Sequence, residues 1–142
     1  MTARARWEVW STVAEITVMD PADLPRLRRI AEHTIAEVDR ACSRFRADAE
    51  IVTLASRFPA GVTVSEVLAR ILADGLTAAQ LTEGLVDPTL GALLQELGWV
   101  AAGSTATPLG VSTPATWREV RLTGRTLTAP AGVRFDFGAT GK

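Results

Sequence analysis

The sequence predicts an α+β domain in which a layered antiparallel sheet packs against amphipathic helices. Apolar and polar residues alternate near the N-terminus, helical periodicity follows in the middle, and short strand-like segments separated by turns close the chain. This order of strand, helices and strands is typical of α+β folds and differs from an alternating βαβ pattern. The 142 residues, 47% of them hydrophobic, suffice for one domain with a real core.

The first element is a strand with one buried face. Its apolar face comprises every second residue: Trp10, Thr12, Ala14, Ile16 and Val18. A period of two is the pattern of a half-buried strand. The strand ends at Asp20-Pro21, where Asp suits a helix cap and Pro suits the first helical position.

Three helices are predicted in the middle of the chain. The first carries an apolar stripe from Leu24 to Cys42, and we predict that Cys42 is a small core residue. The second follows Ser65, a good helix cap. The third starts at residues 87–88, an Asp-Pro pair, and stops at Gly98.

The last part of the sequence contains strands and turns. Residues 101–114 are rich in Gly, Ser, Thr and Pro and indicate a loop. Three short strands are predicted around residues 120–122, Leu127 and residues 133–137. Residues 138–142 then resemble the start of a new helix. We therefore expect residues 1–142 to be the N-terminal part of a single domain whose C-terminal part is absent.

Composition excludes several classes of function. A net charge of −1 makes nucleic acid a poor first guess as a partner. One cysteine, Cys42, and one histidine, His33, cannot supply a disulfide, a typical zinc site or a Ser-His-Asp triad. His33 is predicted to be a plain surface residue. Neither a signal-peptide core nor a transmembrane segment is present, so the chain is expected to be cytoplasmic, with an extracytoplasmic parent left open.

Three clusters of residues could carry chemistry, and each also has a purely structural interpretation. Residues 82–89 form a Gly-containing turn before a helix, which could hold an anion or could simply connect two helices. Residues 134–142 place Asp136 at a strand end beside a Gly-rich turn, where a carboxylate could bind a ribose or ring edge. Residues 43–51 place Phe45 between two arginines, in a charged loop or against a flat ring.

Taken together and in this order, these clusters resemble the FAD:protein FMN transferase family, also called the ApbE family. Residues 9–13 resemble the family's opening strand, with Trp10 and Ser11 in place of Met and Gly. Residues 43–51 resemble its Ser-x-Tyr/Phe-x-x-Asp-Ser-Glu-Ile stretch, with Ala49 in place of Ser. Residues 84–91 resemble its Gly-x-Phe-Asp-Pro-Thr-x-Gly box, and residues 136–142 its Asp-Leu-Gly-x-x-x-Lys motif.

The resemblance implies a set of site residues and an ApbE/T-fold-like domain. The residues expected to contact FAD are Trp10, Phe45, Leu85, Val86, Asp87 and Asp136. Ala139 falls where the family offers a backbone carbonyl to Mg²⁺, and Lys142 where a substrate-contacting catalytic lysine lies. The remaining Mg²⁺ ligands of the family lie downstream of residue 142. We therefore expect this fragment alone to be inactive.

The implied activity is Mg²⁺-dependent transfer of the FMN moiety of FAD onto a Thr or Ser hydroxyl of an acceptor flavoprotein subunit, with release of AMP. Mg²⁺ on the two phosphates would stabilise charge on the departing AMP. Two alternatives stay open at this point. One is a homologue that binds or hydrolyses FAD without transferring it, and the other is a non-catalytic α+β interaction module.

Overall fold

A computed structural model describes residues 1–99 and 117–141 of the chain. Antiparallel sheets and amphipathic helices make up these residues, so the predicted α+β class is confirmed. The chain divides into two compact units, Met1–Glu37 and Val38–Lys142. The predicted loop at residues 101–114 lies outside the described residues.

The first unit opens with a β-hairpin. Strand β1 (Ala3–Val9) pairs antiparallel with β2 (Thr12–Val18), in a register that sets Val9 opposite Thr12. The turn residues Trp10 and Ser11 have φ angles of 49° and 56°. Positive φ at both positions is the signature of a type I′ turn, whose twist matches that of the flanking strands.

Placing Trp10 inside the first strand is therefore wrong, because Trp10 belongs to the turn that joins two strands. The alternation is confirmed from Ala14 to Val18, whereas Thr12, predicted on the same buried face, is exposed. Ala14 and Ile16 are half-buried and Val18 is buried, whereas the residues between them are exposed. Strand β1 was not predicted, because Arg4 and Arg6 interrupt its apolar residues.

The predicted long helix is α1 (Leu24–Cys42). A short 3₁₀ turn, Pro21–Asp23, precedes it, and the Asp20 carboxylate accepts a 2.9 Å hydrogen bond from the backbone N–H of Ala22. Asp20 therefore caps this turn, with Pro at its first position as expected. His33 is exposed on α1 and lies 3.3 Å from Glu37, so its prediction as a surface residue is confirmed.

The second unit is built around a small antiparallel sheet. Strands β3 (Val62–Thr63), β4 (Arg121–Thr123) and β5 (Thr126–Thr128) lie in the order β3-β5-β4. Helices α2 (Glu50–Thr53), α3 (Glu66–Leu81) and α4 (Gly91–Glu96) complete the unit, with 3₁₀ turns at Ala55–Ala60 and Trp117–Glu119. As predicted, the hydroxyl of Ser65 caps α3 by accepting from the N–H of Leu68 at 3.2 Å.

The core of this unit joins α3 to the sheet and to the chain's last segment. Its largest fully buried side chains are Phe58, Leu68, Leu72 and Leu127. Phe135 packs edge-on against Phe58 and stacks on Phe137, with ring centroids 5.7 Å apart in both pairs. These rings anchor residues 135–137 in the core.

Two predicted elements differ in the structure. The third helix begins at Gly91 and not at Asp87, because the Asp87 carboxylate bonds within its own turn and does not cap a helix. Residues 133–137 do not form a third strand with β4 and β5. They run beside Leu90 through a single parallel bridge at Arg134.

Cys42 is buried at the end of α1, as predicted. Burial, and secondarily the charge of Glu50, raises the pKa of its thiol from 9.0 to about 12. At about pH 8 we expect iodoacetamide to modify Cys42 at least ~100-fold more slowly in the folded chain than in concentrated guanidinium chloride. Mass spectrometry of quenched samples gives both rates, and equal rates would contradict this burial.

The same shift has a consequence for alkaline stability. The unfolded chain loses the thiol proton near pH 9.0 and the folded chain only near pH 12. Cys42 therefore makes the free energy of unfolding fall as pH rises between these values and leaves it unchanged below them.

No helix within residues 1–99 and 117–141 is long and apolar enough to cross a membrane.

Candidate functional site

Two of the predicted clusters meet in the second unit. The loop that follows α3 and the segment after Val133 run side by side. The N–H of Gly91 donates to the carbonyl of Arg134 at 2.9 Å, and the N–H of Asp136 donates to the carbonyl of Pro88 at 2.8 Å. Together with the parallel bridge between Leu90 and Arg134, these bonds bring the loop that carries Asp87 next to Asp136.

Gly91 is required where the two segments touch. A Cβ atom at this position would lie 2.7 Å from the carbonyl oxygen of Arg134 and 2.9 Å from that of Phe135. Backbone atoms cannot yield as a flexible side chain does. The glycine of the predicted box therefore allows a close approach of two backbones.

Both carboxylate oxygens of Asp136 are held. Oδ2 accepts a hydrogen bond from Nε of Arg44, and Oδ1 accepts one from the N–H of Gly138 at 2.8 Å. The ion pair is mostly buried, with side-chain exposures of 12% for Arg44 and 18% for Asp136. A carboxylate has about four lone-pair positions, so Asp136 keeps acceptor capacity on its exposed side.

Arg44 connects this carboxylate to the third predicted cluster. Its guanidinium carbon lies 4.1 Å from the centroid of the Phe45 ring, and Nη1 donates to the carbonyl of Trp99 at 2.6 Å. Phe45 itself is half exposed. The Arg44 guanidinium thus contacts both the Phe45 ring, which is a flat apolar surface, and the Asp136 carboxylate, which is a hydrogen-bond acceptor held in place.

The other arginine beside Phe45 has different partners. Arg46 makes a two-bond pair with Asp48, at 2.8 and 3.1 Å, and a 3.1 Å bond to Asp39. Its hydrogen bond and charge hold the pKa of the exposed Asp48 carboxyl below its usual range. All three bonds thus go to carboxylates other than that of Asp136.

The departure from the family motif at Ala49 also has a structural counterpart. Ala49 is fully buried and occupies the N-cap of α2, where it makes no side-chain capping bond. A serine at this position would supply such a bond.

Asp87 is organised by its own turn. Its Oδ1 accepts from the backbone N–H of Thr89 at 2.7 Å and from the Thr89 hydroxyl at 2.6 Å. Thr89 is buried, so the turn is rigidly placed. Next to it, Leu85 is 90% exposed and Val86 is half-buried, which makes an apolar edge beside the carboxylate.

The loop between α3 and α4 is not an anion-binding turn of free backbone donors. Most of its N–H groups bond within the protein: those of Gly84, Leu85, Val86, Thr89 and Gly91. Helix α4 also has only six residues. The structure therefore favours side-chain recognition by Asp87 and Asp136 over phosphate binding at this turn.

An open cleft adjoins Arg44 on the side of α2. Arg44 and Arg134 line it together with apolar residues of α2 and with Gly91. Asp87, Asp136 and Phe45 do not line it. Its lining therefore contains none of the predicted FAD contacts.

The structure does not test two of the predicted site residues. Trp10 lies in the hairpin turn of the first unit. Lys142 lies outside the described residues. Both therefore stay predictions.

Ala139 is exposed in a turn that the N–H groups of Thr140 and Gly141 close onto the carbonyl of Phe137. Within the described part of the chain, no group of three or more His, Cys, Asp or Glu side chains could hold a metal ion. Mg²⁺ needs octahedral oxygen ligation with carboxylate help. In such a site the carbonyl of Ala139 would be one ligand among several.

Sequence reasoning missed two parts of the site. Arg44 was noted only as a neighbour of Phe45, although its partner Asp136 lies 92 positions away. No role is predicted for Trp117 from the sequence. Its indole nitrogen would lie 2.7 Å from a Cβ at Gly84, where φ is +90°. No local sequence pattern predicts either contact.

Comparison with known proteins adds an independent observation. The model of the ApbE family matches residues 10–142. The flavin transferase ApbE from Vibrio cholerae, solved as its H257G mutant, superimposes with a TM-score of 0.82 at 19% identity, covering 100% of this chain and 52% of that one. The apo flavinyl transferase ApbE from Pseudomonas stutzeri gives 0.76 at 16% identity, with 96% and 49% covered.

The ApbE protein from Thermotoga maritima gives a TM-score of 0.79 at 19% identity, with 99% of this chain and 48% of that chain covered. This chain thus spans about half the length of these solved structures. Among proteins with curated descriptions, none matches it. At such identities the superpositions show a shared fold.

Proposed function

Because this chain belongs to the ApbE family, we propose that it forms the FAD-binding part of a transferase that moves FMN from FAD onto an acceptor protein. The observation that carries the proposal is the arrangement around Arg44, in which an exposed aromatic ring and a fixed carboxylate flank one guanidinium. FAD offers the matching chemistry, flat heterocycles together with N–H and hydroxyl donors.

Each site residue has a role in this proposal. The exposed face of Phe45 stacks on a flat ring of FAD. Asp136 accepts hydrogen bonds from a hydroxyl or ring N–H of FAD, and Asp87 does the same with the part of its carboxylate that faces away from Thr89. The exposed side chain of Leu85 and the half-buried Val86 provide an apolar edge for the ligand. Trp10 and Lys142 remain proposed FAD and substrate contacts on the strength of the family likeness.

The proposed reaction exchanges one phosphate bond for another. A Thr or Ser hydroxyl oxygen of the acceptor attacks the phosphorus on the FMN side of FAD. A new phosphoester bond forms, the bond to the other phosphate breaks, and AMP leaves while the hydroxyl proton is released. The proposal includes Mg²⁺ because of the family likeness, in which Ala139 falls where a backbone carbonyl binds the ion. No step of the reaction is assigned to Mg²⁺.

The complete gene product, expressed through to its stop codon, allows a direct test. We expect saturable quenching of FAD fluorescence that is stronger with Mg²⁺ than with a chelator. With an acceptor peptide that contains Thr or Ser, we expect the peptide to gain the mass of one FMN moiety and AMP to appear in equal amount. Mass spectrometry and chromatography measure both products.

Other results would point to the alternatives. Free FMN with AMP, and an unmodified peptide, would replace transfer by hydrolysis. Saturable binding without any product would indicate FAD storage. A folded protein that leaves FAD fluorescence unchanged would overturn the flavin proposal in favour of an interaction module.

A further inference from the structure

Three contacts converge on the guanidinium of Arg44. Nε donates to the Asp136 carboxylate, Nη1 donates to the Trp99 carbonyl at 2.6 Å, and the guanidinium carbon lies 4.1 Å above the Phe45 ring. A planar guanidinium has its donors in a fixed fork, so these contacts specify both its position and its orientation. With 12% of its side chain exposed, Arg44 has little freedom to rearrange.

This position of Arg44 determines what Asp136 can offer a ligand. One carboxylate oxygen is bound to Arg44 and the other to the N–H of Gly138. With both oxygens held, rotation of the carboxylate is restricted. A ligand then meets an acceptor that is already oriented, which reduces the entropy lost on binding.

Arg44 also determines which face of Phe45 a ligand can use. The guanidinium covers one face of the ring, while half of the side chain stays exposed. A flat heterocycle can then stack only on the opposite face. The same guanidinium binds the Asp136 carboxylate, so the ring and the acceptor share one neighbour.

Arg46 provides the contrast within the same loop. It carries the same charge and lies two positions away, yet it bonds to Asp39 and Asp48. Both arginines therefore place positive charge near Phe45, whereas the contact with Asp136 is made by Arg44.

From these contacts we infer that Arg44 is a positioning residue for FAD, acting through Asp136 and Phe45 and not by touching the reacting phosphates. The inference rests on the proposed function, since it specifies how the same site orients its ligand. It assigns a role to a residue that lies inside a motif but carries none of the FAD contacts expected from the sequence.

The test is a double-mutant cycle in FAD affinity on the complete gene product. Arg44→Ala and Asp136→Asn should each raise the Kd for FAD by about tenfold or more, since each removes a charge-assisted interaction. Because Arg44 acts largely through Asp136, the effects of the two substitutions should overlap. The increase in Kd of the double variant should therefore be at least ~10-fold smaller than the product of the two single increases. Arg46→Ala is the matched control and should leave Kd within about twofold.

Flavin fluorescence titration gives each Kd, and thermal unfolding shows that each variant is folded at the titration temperature. If Arg44→Ala does not fold, Arg44→Lys replaces it in the cycle, since lysine keeps the charge but loses the fork and the planar stacking. Losses that simply multiply, or an unchanged Kd for a folded Arg44 variant, would overturn the inference while leaving FAD binding intact. If the unaltered protein binds no FAD, the proposed function fails, and this inference fails with it.

Discussion

Replacing Asp136 with alanine is expected to raise the Kd for FAD by about 10- to 100-fold. In the proposed site the Asp136 carboxylate accepts hydrogen bonds from FAD. Hydrogen bonds to a charged group contribute about 1.5–3 kcal/mol, which corresponds to this change in Kd. The substitution also leaves Arg44 without its anionic partner in a position that is only 12% exposed. We therefore expect the free energy of unfolding to fall by roughly 1–3 kcal/mol as well.

Titration of flavin fluorescence measures the first effect, and chemical denaturation measures the second. Asp48→Ala is the matched control, because Asp48 is also paired with an arginine but is 74% exposed. Exposed ion pairs contribute about 0–1 kcal/mol, so this variant should keep both its stability and its FAD affinity. Equal losses of affinity in the two variants would show that Asp136 has no special place in the site.

Gly91→Ala is expected to lower the free energy of unfolding by about 2–4 kcal/mol, through overpacking and the loss of a backbone hydrogen bond. The added Cβ would sit 2.7 Å from the Arg134 carbonyl oxygen, so the segment that carries Asp136 must move away. That movement stretches the 2.9 Å bond from the Gly91 N–H to the same carbonyl. FAD affinity should fall together with stability, because Asp136 moves with its segment.

Gly124→Ala separates crowding from backbone strain. Gly124 has a φ of +58° and nothing within 4 Å of its Cβ position, so alanine there adds only the strain of a left-handed residue, about 1–2 kcal/mol. Denaturation of both variants provides the comparison. A Gly91→Ala variant that loses no more stability than Gly124→Ala would contradict the close approach of the two backbones.

Local sequence patterns predicted the two long helices well, but the third helix and the short extended segments poorly. The stripe that ends at Cys42 and the cap at Ser65 reproduce α1 and α3, since helix formation depends on bonds and side chains within a few residues of each other. Trp10 was placed in a strand because alternation does not reveal a two-residue turn of positive φ. The segment at residues 133–137 reads as a strand, yet it pairs with the loop before α4.

The sequence by itself determined the α+β class, the two long helices and the motifs that carry the family resemblance, because periodicity and residue order are local properties. Only the tertiary structure decided that Arg44 binds Asp136, that Asp87 closes a turn with Thr89, and that Gly91 meets the backbone of Arg134. These contacts arise where the packed core brings distant segments together. Their geometry depends on the packing of the buried side chains of Phe58, Phe135 and Leu127 as well as on the contacting residues themselves.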